Sequence, residues 1–358
     1  MSQDPPQPMK TGPAPDYKAY RVRRSQLLQP LRRAVEYALA RMLLLVAERL
    51  PLPFLQRLGR GLGALARMLA SRQRAIADYQ LQMALPGLDQ AGRGELIRRC
   101  FGQFGMTAVE TLAQRRIRAE AERWVRLENE QVLLQAHARG RGVMLITAHT
   151  GNWELLPIAM DRLKLHTTVV VRPLHNPRMN ELMRGLRRSE YLELAERGTG
   201  SSTRQLLSAL KNGHVLVMAA DVDIKAQGVF VDFFGIPAFT PLAPAQLALR
   251  LDSPVLTCFD VRNPDGSHTF HFAEVPRGDD ILGADDPVRA LTQAITRATE
   301  EHVRRYPEQW AWNNRRWKRR PEDPGAPPAA GKTVSGMGTH GKEHRKAANE
   351  HDQSGPLP

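Results

Sequence analysis

The stretch Gly142-Val-Met-Leu-Ile-Thr-Ala-His149-Thr-Gly-Asn-Trp-Glu154-Leu-Leu-Pro-Ile-Ala-Met160 decides the fold of this chain. It begins with an apolar run short enough to be a buried β-strand, and the Gly-Asn pair that follows the histidine is typical of a turn. Apolar residues then return at helical spacing. A polar residue between a buried strand and a helix lies where α/β proteins usually place their chemistry. The stretch therefore predicts an α/β fold with a functional site at His149.

His149 and Glu154 are the residues of this stretch best suited to proton transfer. On a continuous helix they would lie about 140° apart and would not meet. With a strand end before the turn and a helix after it, the carboxylate can reach back to the imidazole. A neutral imidazole can take a proton from an alcohol while a carboxylate fixes its tautomer. Chance alone gives about one such spacing among 11 histidines and 37 acidic residues in 358, so a hydrogen-bonded structural histidine stays open at this point.

Composition limits the partners and cofactors of the chain. There are 51 Lys and Arg against 37 Asp and Glu, a net charge of +14. Such a balance attracts nucleic acid, anionic bilayers or phosphorylated substrates. Cys100 and Cys258 lie far apart and form neither a disulfide framework nor a metal motif, which is typical of buried thiols in a reducing compartment. The first 18 residues lack the apolar core of a signal peptide, so we expect the chain to stay on the cytosolic side.

The sequence divides into four predicted parts. Residues 1–25 are expected to be a disordered lead, and 26–120 a helical membrane-associating region. The α/β domain is placed at 121–320. Residues 321–358 are rich in Pro, Gly, Lys and His and are expected to be a disordered tail.

The N-terminal region has an amphipathic pattern. Apolar residues recur at helical spacing at Leu31, Val35, Leu39, Met42, Leu43 and Val46, and a second amphipathic segment at 54–69 follows Pro51 and Pro53. Arginines are numerous and acidic residues few, a pattern typical of helices that lie in a membrane interface. The alternative is an ordinary pair of core helices with solvated arginines. The charge-free runs are far shorter than a spanning helix needs.

Alternating strand and helix patterns from 142 to 259 predict a central, mostly parallel sheet. Three predicted strands end in polar residues, namely His149, Arg172 and Asp221 with Asp223. The planar fork of Arg172 suits a phosphate or carboxylate, and a structural salt bridge is the alternative.

Two further segments can contribute to a site. The loop 228–240 is rich in Phe and Gly; its aromatic side chains can wall an apolar slot or simply be core. The segment 306–320 combines Trp310, Trp312 and Trp317 with five cations, Arg315, Arg316, Lys318, Arg319 and Arg320. This mixture suits a bilayer surface, phosphate binding or RNA stacking.

Together these blocks resemble the lipid A biosynthesis acyltransferase family (lauroyl and myristoyl acyltransferases and their relatives, within the lysophospholipid-acyltransferase-like superfamily). Four blocks carry the resemblance, at 149–154, 171–177, 228–240 and 307–318, in order over roughly 27–320. There are two departures. The chain reads Asp-Val-Asp at 221–223, where the family often has Asp-Gln-Asp, and Asn314 where it often has His.

The resemblance implies a glycerol-phosphate-acyltransferase-like α/β domain on the cytoplasmic face of the bacterial inner membrane. It implies transfer of a fatty acyl chain from acyl carrier protein, or from coenzyme A, to a hydroxyl of a glycolipid such as a lipid A precursor. His149 would be the base and Glu154 would orient it. The other expected partner is anionic phospholipid, with no nucleic acid, metal or redox cofactor. The expected substrate-binding residues are Arg172, Asn176, Asp221, Asp223, Phe230, Phe234, Gly235, Arg315 and Arg316.

Two rival hypotheses come from other functional classes. A membrane-surface binding protein of the same fold that has lost catalysis is suggested by the two departures at 221–223 and Asn314. RNA binding through the segment 306–320 is the second rival. It leaves the Leu-rich, Arg-studded N-terminal helices unexplained.

Overall fold

The computed structural model describes residues 29–197 and 202–323. The predicted disordered lead, the tail beyond 323 and the residues 198–201 lie outside the described residues. The helices are α1 (Gln29–Ala47), α2 (Leu52–Leu69), α3 (Ser71–Ala84), α4 (Gln90–Leu112), α5 (Gln114–Ala119), α6 (Ala121–Trp124), α7 (Glu130–Ala138), α8 (Leu156–Leu163), α9 (Pro177–Arg187), α10 (Ser202–Lys211), α11 (Ala243–Arg250), α12 (Asp279–Leu282) and α13 (Pro287–Arg305). The strands are β1 (Val125–Glu128), β2 (Val143–Thr147), β3 (Thr167–Val171), β4 (Leu192–Glu196), β5 (Val215–Ala219), β6 (Gly228–Phe233), β7 (Ile236–Pro241), β8 (Val255–Arg262) and β9 (His268–Glu274).

The main sheet has the strand order β1-β9-β8-β2-β5-β3-β4. The strands β8, β2, β5, β3 and β4 are parallel to one another, and β9 returns antiparallel to β8. The predicted α/β fold with a central, mostly parallel sheet is therefore confirmed. Since β9 begins where β8 ends, the start of β9 lies at the same edge as the carboxyl ends of the parallel strands. That edge carries the site.

The segment 228–240 is a hairpin, β6–β7, and the prediction of a loop there is wrong. The two turn residues, Phe234 and Gly235, both have positive φ (58° and 72°). Positive φ at both central positions is the backbone of a type I′ turn, for which Asn-Gly is the usual sequence. Phenylalanine at such a position is uncommon, and this is why the turn was not recognised.

The N-terminal helices share a core with the sheet. Leu52 and Leu55 of α2 and Val109 of α4 belong to the same buried cluster as Leu145 of β2 and Leu256 of β8. The helices α2 and α4 approach closely through glycines. A Cβ added at Gly105 would lie 1.9 Å from the carbonyl oxygen of Gly59, and one at Gly63 would lie 2.1 Å from that of Phe101. Backbone contact of this kind excludes any side chain.

The outward faces of α1 and α2 are apolar and exposed. On α2 the stripe consists of Phe54, Leu58, Leu62, Leu65, Met68 and Leu69, each at least 40% exposed. On α1 it includes Leu31, Val35, Leu39, Met42, Leu43 and Val46. Within residues 29–197 and 202–323, no helix is both long and apolar enough to cross a membrane.

We predict that Gly105→Ala lowers the free energy of unfolding by about 1–3 kcal/mol, because the new methyl group must push α2 away from α4. The control is Gly61→Ala, also in α2, where an added Cβ meets no atom within 4 Å. The control should raise stability by about 0.5–1 kcal/mol through helix propensity. Urea denaturation of both variants measures this, and equal effects would contradict the close glycine contact.

Candidate active site

His149 is held by the carboxylate of Asp221. The strands β2 and β5 are neighbours with Thr147 opposite Ala219, so the residues that follow each strand meet at one edge. The backbone N–H of His149 donates to Asp221 Oδ2 at 2.8 Å, and His149 Nδ1 lies 2.8 Å from Asp221 Oδ1. Because an ionised carboxylate only accepts hydrogen bonds, Nδ1 carries the proton. The lone pair of the neutral ring is therefore on Nε2.

A third hydrogen bond fixes Asp221. The indole Nε1–H of Trp310 donates to Asp221 Oδ2 at 2.9 Å. Asp221 is 3% exposed, whereas the side chain of His149 is 26% exposed. The carboxylate is thus buried behind a partly accessible imidazole, which is the arrangement needed to orient a base without exposing its partner.

The electrostatics of the pair favour a charged imidazolium. Burial disfavours the cation, but the carboxylates of Asp221 and, to a smaller extent, Glu154 outweigh it, so the pKa of His149 lies above its ordinary value. Burial likewise opposes ionisation of Asp221, but its hydrogen bonds and the nearby His149 lower the pKa of this carboxyl. An imidazole that has accepted a proton is thereby stabilised.

Glu154 does not make the predicted contact with the imidazole. It lies in the 3₁₀ turn Trp153–Leu155, and Arg187 of α9 binds its carboxylate with two hydrogen bonds, of 2.7 and 2.6 Å. The prediction that Glu154 fixes the His149 tautomer is therefore wrong, because Asp221 occupies Nδ1. The carboxylate acts on His149 through the electric field, and a catalytic role for it stays a prediction.

A buried charge network holds the turn after His149. Glu110 of α4 is fully buried and accepts two hydrogen bonds from Arg262, at 2.9 and 2.5 Å. It also accepts from the side-chain amide of Asn152 at 3.0 Å, and the Asn152 backbone N–H donates to Asp260 at 2.5 Å. Gly151 has φ +56°, and a Cβ there would lie 2.4 Å from Asp260 Oδ2. The turn is therefore fixed on both sides, and only glycine fits.

His268 completes this network. Its Nδ1 lies 2.7 Å from Asp260 Oδ2 and its Nε2 lies 3.3 Å from Glu110 Oε2. Burial alone would keep the ring neutral, yet the two carboxylates raise its pKa to about 9. Burial opposes ionisation of Glu110, but the neighbouring Arg262 and His268 lower the pKa of this carboxyl well below its ordinary value. Sequence reasoning missed this network, although Asp260 and Arg262 end β8 and the strand-end rule used for His149 applies to them.

The C-terminal segment closes over the same turn. Thr150 pairs with Trp310 in an antiparallel bridge, and the N–H of Ala311 donates to the carbonyl oxygen of His149 at 3.1 Å. The N–H of Gly151 donates to the carbonyl oxygen of Gln309 at 3.0 Å. The block at 307–318, which the sequence could only place by resemblance, is thus a structural part of the His149 site.

Arg172 and Asn176 differ in accessibility. Arg172 is exposed directly after β3, in register with Arg197 after β4, and burial together with the charge of Arg172 lowers the pKa of the Arg197 guanidinium. Asn176 is buried, caps α9 and donates to the carbonyl oxygen of Arg33 in α1 at 2.9 Å. Arg172 is therefore available to a ligand, whereas the side chain of Asn176 is engaged in joining α9 to α1.

Besides Asp221, two further charged residues predicted to bind substrate are engaged inside the protein. The side chain of Asp223 is fully buried and bound by Arg319, whose backbone N–H and Nε lie 2.9 and 2.8 Å from its carboxylate. Arg316 is 1% exposed and donates to Phe239 O and Thr240 Oγ1. Both join the C-terminal segment to the rest of the fold. Arg315 is half-buried on the same segment.

The aromatic residues of the hairpin and of the C-terminal segment are core. Phe230 is fully buried, Phe234 is 7% exposed and capped by Arg304 at 4.3 Å, and Gly235 forms the turn. The side chains of Trp310, Trp312 and Trp317 are 5% exposed or less and pack in one cluster with the hairpin. The prediction of an interfacial tryptophan surface is wrong, and the RNA hypothesis loses the stacking surface that it needed. Among the described residues no group of three His, Cys, Asp or Glu side chains is arranged to hold a metal ion.

The sequence comparison identifies the family of this site. The profile of the family described as bacterial lipid A biosynthesis acyltransferase matches residues 22–319. The chain belongs to this family. In this member of the family, His149 is held by Asp221, which follows the neighbouring strand β5. The resemblance that the four sequence blocks predicted is confirmed.

Several relatives of this acyltransferase have names that specify an acyl group or an acceptor. It is 29% identical over 278 residues to the lipid A biosynthesis palmitoleoyltransferase of Escherichia coli strain K12, covering 76% of this chain and 88% of the relative. It is 26% identical over 281 residues to the lauroyltransferase of the same organism, with the same coverage. A phosphatidylinositol mannoside acyltransferase of Mycobacterium tuberculosis strain H37Rv matches 51% of this chain and 56% of the relative at 26% identity.

We predict that Glu110→Gln lowers the free energy of unfolding by about 3–5 kcal/mol, because it leaves Arg262 buried without its counter-charge. The matched control is Glu95→Gln on the same helix, where the ion pair with Arg98 is about half exposed. The control should cost no more than about 1 kcal/mol. Guanidinium denaturation compares the two; a cost for Glu110→Gln as small as the control's would contradict the role of the network.

Proposed function

We propose that this family member transfers a fatty acyl chain from a thioester, on acyl carrier protein or coenzyme A, to a hydroxyl of a membrane glycolipid. A lipid A precursor is the acceptor we favour. The relatives named for lipid A match over most of their length, whereas those named for phosphatidylinositol mannoside match over about half. The observation that carries the proposal is the partly exposed His149 with its Nδ1 bound to buried Asp221.

The proposed mechanism needs one direct displacement. His149 Nε2 accepts the proton of the acceptor hydroxyl as the oxygen attacks the thioester carbonyl carbon. The tetrahedral intermediate collapses, the C–S bond breaks, and the thiolate takes the proton back from the imidazolium. Asp221 stabilises the imidazolium while it exists. A thioester is already activated, so the step requires neither a covalent acyl-enzyme nor a cofactor.

The surroundings of His149 suit an anionic substrate and a bilayer. We propose that exposed Arg172, with Arg197 beside it, binds a phosphate of the acceptor or of the donor's phosphopantetheine arm. Two like charges at adjacent strand ends are stabilised when an anion lies between them. We also propose that the apolar faces of α1 and α2 lie in the cytoplasmic leaflet of the bacterial inner membrane, which would bring the lipid acceptor to the protein.

We predict that His149→Ala folds normally and loses acyl transfer by at least about 100-fold, the usual range for a missing general base. The assay follows radiolabelled acyl groups from acyl carrier protein, and separately from coenzyme A, to a lipid A precursor. His137→Ala, in α7 away from the carboxyl edge of the sheet, is the control and should retain activity. Full transfer by His149→Ala would refute the base. Transfer by neither donor with the unaltered protein would favour the non-catalytic binding protein.

A further inference from the structure

We propose that a cavity between α2, α4 and the β8–β9 turn binds the phosphate headgroup of one anionic phospholipid that is not the reacting substrate. The inference deepens the membrane contact proposed above and rests on it. It concerns a different place from His149, since the cavity lies on the outer side of the charge network that holds the His149 turn.

The cavity has the size of a small-ligand site. Its volume is about 410 Å³, within the range of about 300–1,000 Å³ that such sites occupy. Its walls include Pro53, Arg57 and Arg60 of α2, Arg99 and Met106 of α4, and Asn263 and Gly266 of the β8–β9 turn. Gln56, Arg262 and Gln309 also line it. A second cavity of about 400 Å³ shares Arg60, Arg99 and Met106 with it, so the two form a continuous groove.

The charge of the lining favours an anion. Two acidic residues line the cavity, and each is already paired: Glu308 lies 3.1 Å from Arg99, and Asp265 lies 2.8 Å from Arg126. Arg262 is neutralised by Glu110 beneath it. Two cations are left over, Arg57 and Arg60.

Arg57 and Arg60 are placed to act together. Neither forms an ion pair with a carboxylate among the described residues, and Arg60 donates a weak hydrogen bond to Met106 Sδ at 3.7 Å. They are three positions apart on α2 and therefore neighbours on its surface. Guanidinium groups in this arrangement can bind one phosphate from two sides.

The position of the cavity identifies the source of the phosphate as a lipid. Arg57 follows Phe54 by three residues and precedes Leu58, and both of these apolar side chains are exposed on the outer face of α2. The arginines thus lie on the flank of the helix, between its buried face and its apolar stripe. A helix that buries this stripe in a leaflet would hold its flanking arginines at headgroup level. Free inorganic phosphate has no apolar part that could contact the adjacent apolar stripe, whereas a phospholipid has acyl chains that can.

The test compares two double variants that lose the same charge. Arg57→Gln with Arg60→Gln removes the two unpaired cations of the cavity. The control, called the α1 variant, is Arg41→Gln with Arg49→Gln; it removes one exposed cation of α1 and one in the turn just after that helix. Calorimetry of the full chain titrates short-chain phosphatidylglycerol below its micelle concentration, inorganic phosphate and short-chain phosphatidylcholine. Vesicles of phosphatidylcholine with and without phosphatidylglycerol are titrated in parallel.

We expect the unaltered protein to bind one short-chain phosphatidylglycerol, and the cavity variant to bind it at least about tenfold more weakly, which is about 1.4 kcal/mol. The α1 variant should stay within about twofold. Acyl transfer to a detergent-dispersed acceptor should be unchanged in both, because neither arginine lies at His149.

Several results would contradict the proposed lipid-binding site. Equal weakening by both double variants would mean diffuse attraction to the net charge. Inorganic phosphate binding as tightly as the lipid would assign the cavity to free phosphate. Acyl carrier protein is titrated in the same way; loss of its affinity in the cavity variant, with lipid binding intact, would assign the cavity to that protein. If the unaltered protein and both variants bind anionic vesicles equally, the proposed site is contradicted and the proposed membrane contact is supported. If none of them binds vesicles but the unaltered protein still binds the short-chain lipid, the membrane contact is contradicted and the site is supported.

Discussion

The hydrogen bonds of one buried carboxylate, Asp221, define the geometry of the site. It accepts from the backbone and the ring of His149 and from the indole of Trp310. These donors come from the ends of β2 and the C-terminal segment, while the acceptor comes from the end of β5. A buried carboxylate is costly unless its hydrogen bonds are made. The three elements must therefore be assembled together, and the imidazole has one orientation when they are.

The second constraint is the buried charge network beneath the turn that carries His149. The network of Glu110, Arg262, Asp260 and His268 contains two anions and two cations when His268 is protonated, and nearly all of it is out of water. Breaking such a set leaves an uncompensated charge, so its members are expected to be retained as a unit. Because Asn152 bonds to both carboxylates, the network reaches the turn that carries His149. The close glycine contact between α2 and α4 matters for the same reason, since α4 supplies Glu110.

Much of the fold could be predicted from the sequence because the apolar runs are short and regular. The strands predicted to end at His149, Arg172 and Asp221 end within two residues of those positions, at Thr147, Val171 and Ala219. The hairpin β6–β7 was missed because its turn uses Phe234 at positive φ. Contacts between residues that are distant in sequence were harder to predict. No local pattern could say that Asp221, and not Glu154 five residues away, would reach Nδ1, because that depends on β2 and β5 being adjacent in the sheet.

The same limit explains the misplaced ligand residues. Arg316 and the tryptophans lie in a block that carries the family resemblance, Asp223 follows the strand that ends before Asp221, and the chemistry of all these side chains suits ligands. In the structure they hold the C-terminal segment against the hairpin and the helices, as the contacts of Arg316 with Phe239 and Thr240 demonstrate. Side-chain type in a sequence indicates what a residue can bind, but burial decides whether its partner is a substrate or another part of the chain.

The central claim, that Asp221 is the partner of the His149 imidazole, is tested most directly by titrating His149 with ¹⁵N NMR. Its resonance is assigned by its absence in His149→Ala. In the unaltered protein we predict a pKa above the ordinary histidine value of about 6.5. Asp221→Asn removes the attraction to the imidazolium and should lower this pKa clearly, whereas Glu154→Gln should lower it less. A larger decrease in Glu154→Gln than in Asp221→Asn, or no change in Asp221→Asn, would contradict the account.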